Sequence, residues 1–161
     1  MASPVEVLAV ALDDMEELVG SVGDDHWTQP TPCTDWSVRE LVNHFVGGNY
    51  LYAAILRGEQ TLPPIEIRSS QGRDRLGEDP PAAYRDAAAQ LLAAFRQPGV
   101  LEQTFEVPIG PVPGVAAARL RLVETLVHGW DLAQAIGRPA SFSDDAAQDA
   151  LEFTRSALTR I

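Results

Sequence analysis

The composition of this 161-residue chain, with 45% hydrophobic and 22% charged residues, is that of a globular protein. A chain of this length buries a core without disulfides, and its single cysteine, Cys33, has no partner to pair with. Twelve basic against 23 acidic residues give a net charge of -11, which disfavours nucleic acid and anionic membrane surfaces as partners. We predict a single domain over residues 1–161.

The N-terminal segment and the hydropathy pattern bear on where the protein resides. The first residues lack the basic region and small-residue cleavage site of a secretory signal. No apolar run approaches the roughly 20 residues of a membrane span. Together with the lone cysteine, these features predict a protein of the reducing cytoplasm.

The first two predicted helices each begin with a capping box. The motif SPVE at Ser3 opens the first helix, whose apolar residues recur at helical spacing to about Val22. A loop with the sequence GDDHWTQPTPCTDW follows. The motif SVRE at Ser37 opens the second helix, which should end near Gly58.

The middle of the chain reads as a loop, a third helix and a short extended element. Residues 60–80 are polar and interrupted by proline and glycine, so we expect a loop that is either mobile or folded over a site. The third helix is predicted from about Pro80 to Arg96. The following LEQTFEVPIGPVPG allows a short hairpin at most.

The fourth predicted helix, about Val115 to Ile136, is apolar nearly all round, which is typical of a helix in the centre of a bundle. Gly137 and Pro139 end it, and Ser143 begins a fifth helix that runs to the terminus. The expected fold is therefore all-α, a four-helix bundle with an additional C-terminal helix and long crossing loops. Such bundles build metal sites from side chains of facing helices.

Three polar residues interrupt the apolar fourth helix. Glu124 and His128 are four residues apart, so both leave the same face and can bind one metal ion. Asp131 lies three residues further on, where it can accept the second ring N–H of a ligand histidine or neutralise an arginine. An ionised carboxylate on an apolar face needs such a partner.

His44 of the second helix shares its apolar stripe and should point into the bundle. Gly47 and Gly48, one turn later, leave room for a neighbouring backbone or a ligand. If the two helices face each other, His44, Glu124 and His128 form a two-histidine, one-carboxylate set with an open fourth position, as in catalytic zinc sites. Iron, nickel or manganese would also accept this set. The alternative is an ordinary core histidine satisfied by one hydrogen bond.

Three residues of the predicted loop before the second helix are further candidates for a role at the site. For His26 a surface or packing role is favoured. Cys33 could be a reactive thiol or a metal ligand, but without a second cysteine a small packed residue is the favoured interpretation. Trp36 is expected to anchor the start of the second helix in the core.

The segments TDWSVRELVNHFVGGN and, about eighty residues later, RLVETLVHGWDLAQAIG carry a family resemblance. Together they resemble the DinB-like family of four-helix-bundle metalloproteins, and within it the N-terminal domain of mycothiol-dependent maleylpyruvate isomerase and related actinobacterial proteins. The resemblance implies that His44, Glu124 and His128 bind the metal. Asp131 would then lie outside the set of ligands and contact one of them.

What the resemblance implies about function is thiol chemistry. It suggests a zinc-type site that binds a low-molecular-weight thiol, mycothiol in actinobacteria, as a thiolate for transfer to, or isomerisation of, a small electrophilic substrate. A divalent cation makes this reasonable because it lowers the pKa of the thiol. The resemblance covers the bundle and no second domain, so maleylpyruvate itself is not the expected substrate. A homodimer is compatible with the apolar content.

Two other functions stay open at this point. The same ligands could activate water for hydrolysis of a small amide or ester. The chain could also be a non-catalytic dimeric bundle with a structural metal or none. Three ligands count against a structural zinc, which usually has four protein ligands, unless Asp131 or His26 supplies the fourth.

Overall fold

The computed structural model describes residues 2–59 and 73–159. Within these ranges the chain forms five helices and one β-hairpin: α1 (Pro4–Gly20), α2 (Val38–Leu56), α3 (Pro80–Phe95), β1 (Thr104–Val107), β2 (Gly110–Pro113), α4 (Gly114–Ile136) and α5 (Asp144–Leu158). The predicted all-α bundle with an additional C-terminal helix is confirmed. Most of the loop predicted over 60–80 lies outside the described residues.

The helix ends follow the local sequence signals closely. Both predicted capping boxes are present, with Ser3 and Ser37 each accepting from the backbone N–H of the glutamate three residues on. α1 and α2 each end two residues earlier than predicted. At the end of α2 the signal was a glycine, and Gly58 does adopt the left-handed conformation, with φ 72°, just after the helix.

Four helices enclose the core and the fifth covers it from outside. α1 packs against α3 and α4, and α2 packs against the same two helices from the other side. α5 lies on α4 and also touches α1. The largest fully buried side chains come from all four bundle helices: Tyr84, Phe45, Phe95, Leu8, Leu12, Met15, Leu41, Leu91, Leu122 and Leu132. The Tyr84 hydroxyl donates to the Leu12 carbonyl at 2.7 Å, so the buried phenol ties α3 to α1.

The antiparallel hairpin connects α3 to α4, and the segment just before the hairpin caps the start of α4. No side chain caps this helix. Instead, the Gly114 N–H donates to the Gln103 carbonyl at 2.8 Å, and the Val115 N–H donates to the Leu101 carbonyl at 3.0 Å. These bonds satisfy two of the amides that a helix start leaves unpaired. They also hold α4, which carries most of the polar residues singled out above, against the preceding chain.

α4 differs in one respect from the prediction of a helix buried nearly all round. Val127 and Trp130 are about half exposed, at 52% and 51%. The reason is geometric: α4 packs on α1, α2 and α5, and these neighbours leave one strip of its surface facing solvent. None of the helices in the described ranges has the length and hydropathy needed to cross a membrane.

Candidate metal centre

His44, Glu124 and His128 come together where α2 and α4 cross. Glu124 Oε2 lies 3.1 Å from His128 Nε2 and 4.0 Å from His44 Nε2. All three potential ligand atoms lie within 4.8 Å of one another. Ligands bound at about 2.0–2.2 Å to a tetrahedral ion are themselves between about 3 and 4 Å apart, so small side-chain adjustments bring this set onto one ion.

The two helices run in opposite directions at the site. His44 of α2 meets His128 of α4, whereas Asn49, further along α2, meets Arg121, which precedes the site on α4. This arrangement places the histidine of one helix opposite the ExxxH pair of the other.

Burial differs among the three side chains of the cluster. His128 is buried, while the Glu124 side chain is 43% exposed and forms the solvent-facing side of the cluster.

Asp131 stands directly behind His128. Its Oδ2 lies 3.3 Å from His128 Nδ1, and the carboxylate is buried. Of the two partners considered for Asp131, a ligand ring or an arginine, the structure therefore shows the ring. With a metal ion bound, an acceptor on Nδ1 would hold a ring proton there and leave the lone pair of Nε2 to the ion.

Cys33 is a second neighbour of the same carboxylate. Its thiol donates to Asp131 Oδ2 at 3.2 Å. Burial, the hydrogen bond to Asp131 and the negative charges of Asp131 and Glu124 raise the pKa of the thiol to about 11, so it is protonated at neutral pH. Cys33 is therefore more than a small packed residue. His26, by contrast, accepts from the Gly23 N–H at 3.2 Å, and within the described residues it joins no metal-ligand cluster.

Trp36 forms an aromatic wall of the site. Its ring centroid lies 4.3 Å from that of His44 and 5.9 Å from that of His128. The two imidazoles meet edge to face at 5.3 Å. Trp36 was expected to anchor the start of α2 in the core; it is half-buried there, and it packs against both the core and the candidate ligands.

Arg121 is a buried cation that the sequence analysis missed. Its guanidinium donates to Asn49 Oδ1 at 2.8 Å and stacks between Phe45 and Tyr52, 5.1 Å from each ring centroid. Among the described residues no carboxylate lies within ion-pair distance of it, and its Nε has no hydrogen-bond partner. The available signal was an arginine three residues before Glu124 on an otherwise apolar stripe.

The glycine pair of α2 accommodates arginine side chains. A Cβ at Gly48 would lie 2.9 Å from an Nη atom of Arg121, and one at Gly47 would lie 3.2 Å from an Nη atom of Arg75. The sequence predicted that the space beside these two glycines would hold a neighbouring backbone or a ligand. In the structure guanidinium groups occupy that space instead. Gly48 in particular lets the buried cation reach the α2–α4 contact.

Glu124 is held as an anion. The hydrogen bond with His128 lowers the pKa of Glu124 to about 2, and the electrostatic interactions with Arg121, His128 and His44 act in the same direction, while partial burial opposes them. The carboxylate is therefore ionised at any physiological pH, which is the form that binds a cation.

This lowered pKa predicts a pH-dependent stability of the metal-free chain. A folded-state pKa below the ordinary 4.5 means that the unfolded state binds the proton more readily, so the stabilisation is present above pH 4.5 and is lost as the pH falls through about 2. Urea unfolding in chelator should show wild type more stable than Glu124→Gln at pH 6, with the difference shrinking toward pH 2. Because the side chain is 43% exposed, solvent screening keeps the difference small. Glu102→Gln on the surface controls for charge loss, and a gap independent of pH would contradict the prediction.

Comparisons with known proteins agree with this architecture. The family model that matches, over residues 8–133, is described as the mycothiol maleylpyruvate isomerase N-terminal domain. An uncharacterised protein of Mycobacterium tuberculosis is 34% identical over 146 residues, covering 91% of this chain and 74% of that protein. Another uncharacterised protein from the same organism is 27% identical, and the match covers 88% of this chain and 61% of that protein. The crystal structure of mycothiol-dependent maleylpyruvate isomerase superposes with a TM-score of 0.74 at 15% identity, covering 95% of this chain and 70% of that one. The predicted DinB-like fold is confirmed.

Proposed function

This chain belongs to the family of mycothiol maleylpyruvate isomerase N-terminal domains, and from that premise we propose that it is a divalent-metal-dependent enzyme that activates a low-molecular-weight thiol. The thiol, mycothiol or a close analogue, would be transferred to a small electrophile or used to isomerise it. The observation that carries the proposal is the convergence of His44, Glu124 and His128 within 4.8 Å of one another.

The chemistry of the donors fits a catalytic ion of the zinc type. Two imidazole nitrogens and one carboxylate suit zinc, and three protein ligands leave a position for an exogenous group. Asp131 supports this arrangement, because a carboxylate on the distal nitrogen of a ligand histidine is a recurrent feature of zinc sites. When bound, such an ion supplies Lewis acidity that lowers the pKa of a coordinated thiol, so that the nucleophilic form exists at neutral pH.

Charge favours an anionic form of the ligand in the open position. One carboxylate against a divalent ion leaves a net charge of +1 within the set of ligands. Arg121 adds a buried positive charge one turn away on α4, with no carboxylate in ion-pair distance among the described residues. A thiolate would neutralise this excess, and a neutral water would not.

The protein side chains around the cluster position and shield the reactants. Trp36 covers the two imidazoles on one side, so a ligand can approach from the exposed side of Glu124. An aromatic wall beside the cluster also offers apolar contact for the carbon skeleton of a small substrate.

The first experiment is the metal content of protein purified without chelator or nickel affinity. We expect close to one zinc per chain in wild type and a loss of at least tenfold in His44→Ala, Glu124→Ala and His128→Ala. His26→Ala is the matched control, because His26 lies outside the ligand clusters of the described residues and should keep its zinc. Metal-free wild type that takes up no added zinc would refute the proposal and favour a non-catalytic bundle.

A second measurement separates thiol chemistry from hydrolysis. The zinc-loaded chain is assayed with mycothiol and a fluorogenic haloalkyl probe, and with small esters and amides in the presence and absence of thiol. Consumption of the probe that requires both zinc and thiol is the expected result. Ester or amide cleavage that is indifferent to thiol would replace the proposal by the hydrolase alternative.

A further inference from the structure

A second cluster of ligand atoms lies on the other side of the His128 ring. Cys33 Sγ and His128 Nδ1 both approach the same oxygen of Asp131, at 3.2 and 3.3 Å. The three ligand atoms lie within 4.8 Å of one another, as those of the first cluster do. The cluster draws one residue from the loop before α2 and two from α4.

We propose that Cys33, Asp131 and Nδ1 of His128 form a second metal-binding set, selective for thiophilic divalent cations such as Cd²⁺. It is an alternative to the first set, since both require the same imidazole. The set stands on its own geometry and would exist even if the first set bound no metal. Its effect on the proposed function would be competition, because a thiophilic ion held there takes His128 away from the catalytic arrangement.

The spacing of the donor atoms suits one ion. A sulfur at about 2.3 Å and a nitrogen and an oxygen at about 2.0–2.2 Å from a tetrahedral metal lie roughly 3.3–3.6 Å apart from each other. The distances of 3.2 and 3.3 Å from Asp131 to its two neighbours are close to these values. The third separation, between the ligand atoms of Cys33 and His128, is no more than 4.8 Å.

Charge and softness distinguish this set from the first. A thiolate and a carboxylate together balance a divalent ion, so the occupied set is neutral and suits its largely buried position. The first set has no sulfur and keeps an excess positive charge. Because thiolate donors prefer soft metals, Cd²⁺ favours the Cys33 side and harder ions favour the Glu124 side.

The proton balance is simple. The metal replaces the thiol proton of Cys33 and takes the lone pair of Nδ1, and the thiol proton passes to solvent. A neutral imidazole has one lone pair on nitrogen and one N–H, so His128 then carries its hydrogen on Nε2 and no longer binds a metal in the first set. One chain therefore holds one ion in total through this ring.

The test uses Cd²⁺ and the absorption of the sulfur-to-cadmium bond in the ultraviolet. Cys33 is the one cysteine of the sequence, so any such band from the protein reports on it. The double variant His44→Ala/Glu124→Gln disables the first set and should give the band at one Cd²⁺ per chain. Adding Cys33→Ser, which keeps a donor to Asp131, should abolish the band, and adding Asp131→Ala should weaken Cd²⁺ binding at least tenfold. Asp149→Ala, which removes a carboxylate paired with Arg119, is the control.

Three results would overturn the inference. The first is no sulfur band at near-stoichiometric Cd²⁺ in the double variant, checked for folding by circular dichroism. The second is a Cd²⁺ affinity that Asp131→Ala leaves unchanged, and the third is one Cd²⁺ shared by two chains. These three results are distinct from a failure of the proposed function. That failure would be seen in the zinc content of His44→Ala and Glu124→Ala, in which Cys33 is intact.

Discussion

Gly114→Ala should lower the free energy of unfolding by about 3 kcal/mol, at the upper end of the usual cost of overpacking. Gly114 is the first residue of α4, and a Cβ there would overlap the carbonyl oxygen of Val100 and lie 3.0 Å from the Cα of Leu101. These are backbone atoms of the turn that leads into the hairpin, so no side-chain rotation relieves the overlap. The measurement is urea unfolding of metal-free protein followed by circular dichroism.

The matched control for this substitution is Gly20→Ala. Gly20 is the last residue of α1, and a Cβ there meets nothing within 4 Å. Alanine is the better helix former, so this change should stabilise the protein by up to about 1 kcal/mol. Equal stability of the two variants would mean that the turn before α4 is not the tight contact described here.

Asp131→Asn should weaken zinc binding by roughly 10- to 100-fold, the usual effect of altering the partner of a ligand histidine. The asparagine has nearly the same shape, and its oxygen can still accept from His128 Nδ1. What it lacks is the negative charge that orients the ring and increases its basicity toward a metal. Zinc affinity is measured by competition with a chromophoric chelator at constant pH.

Asp149→Asn is the control for Asp131→Asn. Asp149 forms an ion pair with Arg119 at 3.2 Å, in a contact between α5 and α4 that does not involve the metal-ligand clusters. Its loss should leave zinc affinity within about twofold, because exposed and half-exposed pairs contribute little. Zinc affinity that is the same in Asp131→Asn as in wild type would remove Asp131 from the proposed metal site.

Much of the candidate site was predictable because its spacing is local. Glu124 and His128 share a helix face whenever the segment is helical, and the apolar pattern with its end signals predicts that helix well. His44 was predicted to face inward for the same reason. That the two helices meet at these residues was an inference from the bundle fold and the family resemblance, and the structure brings the three side chains together.

The contacts with the loop and the buried arginine were not predictable in the same way. Cys33 lies 98 positions from Asp131, and no periodicity relates a loop residue to a helix face that distant. Arg121 reaches Asn49 across 72 positions through the gap at Gly48. The sequence showed the gap but not its occupant, because the same missing side chain suits a backbone, a ligand or a guanidinium.

The sequence by itself determined the helices, the capping boxes of α1 and α2, the bundle class and the shared helix face of Glu124 and His128. All of these follow from hydrogen bonding and side-chain spacing within a few residues. Only the tertiary structure decided which atoms surround His128. Packing of the loop and of α2 against α4 puts Glu124 on one ring nitrogen and Asp131, with Cys33, on the other. Such contacts depend on how whole elements dock, and docking is set by the summed burial of many side chains rather than by any local motif.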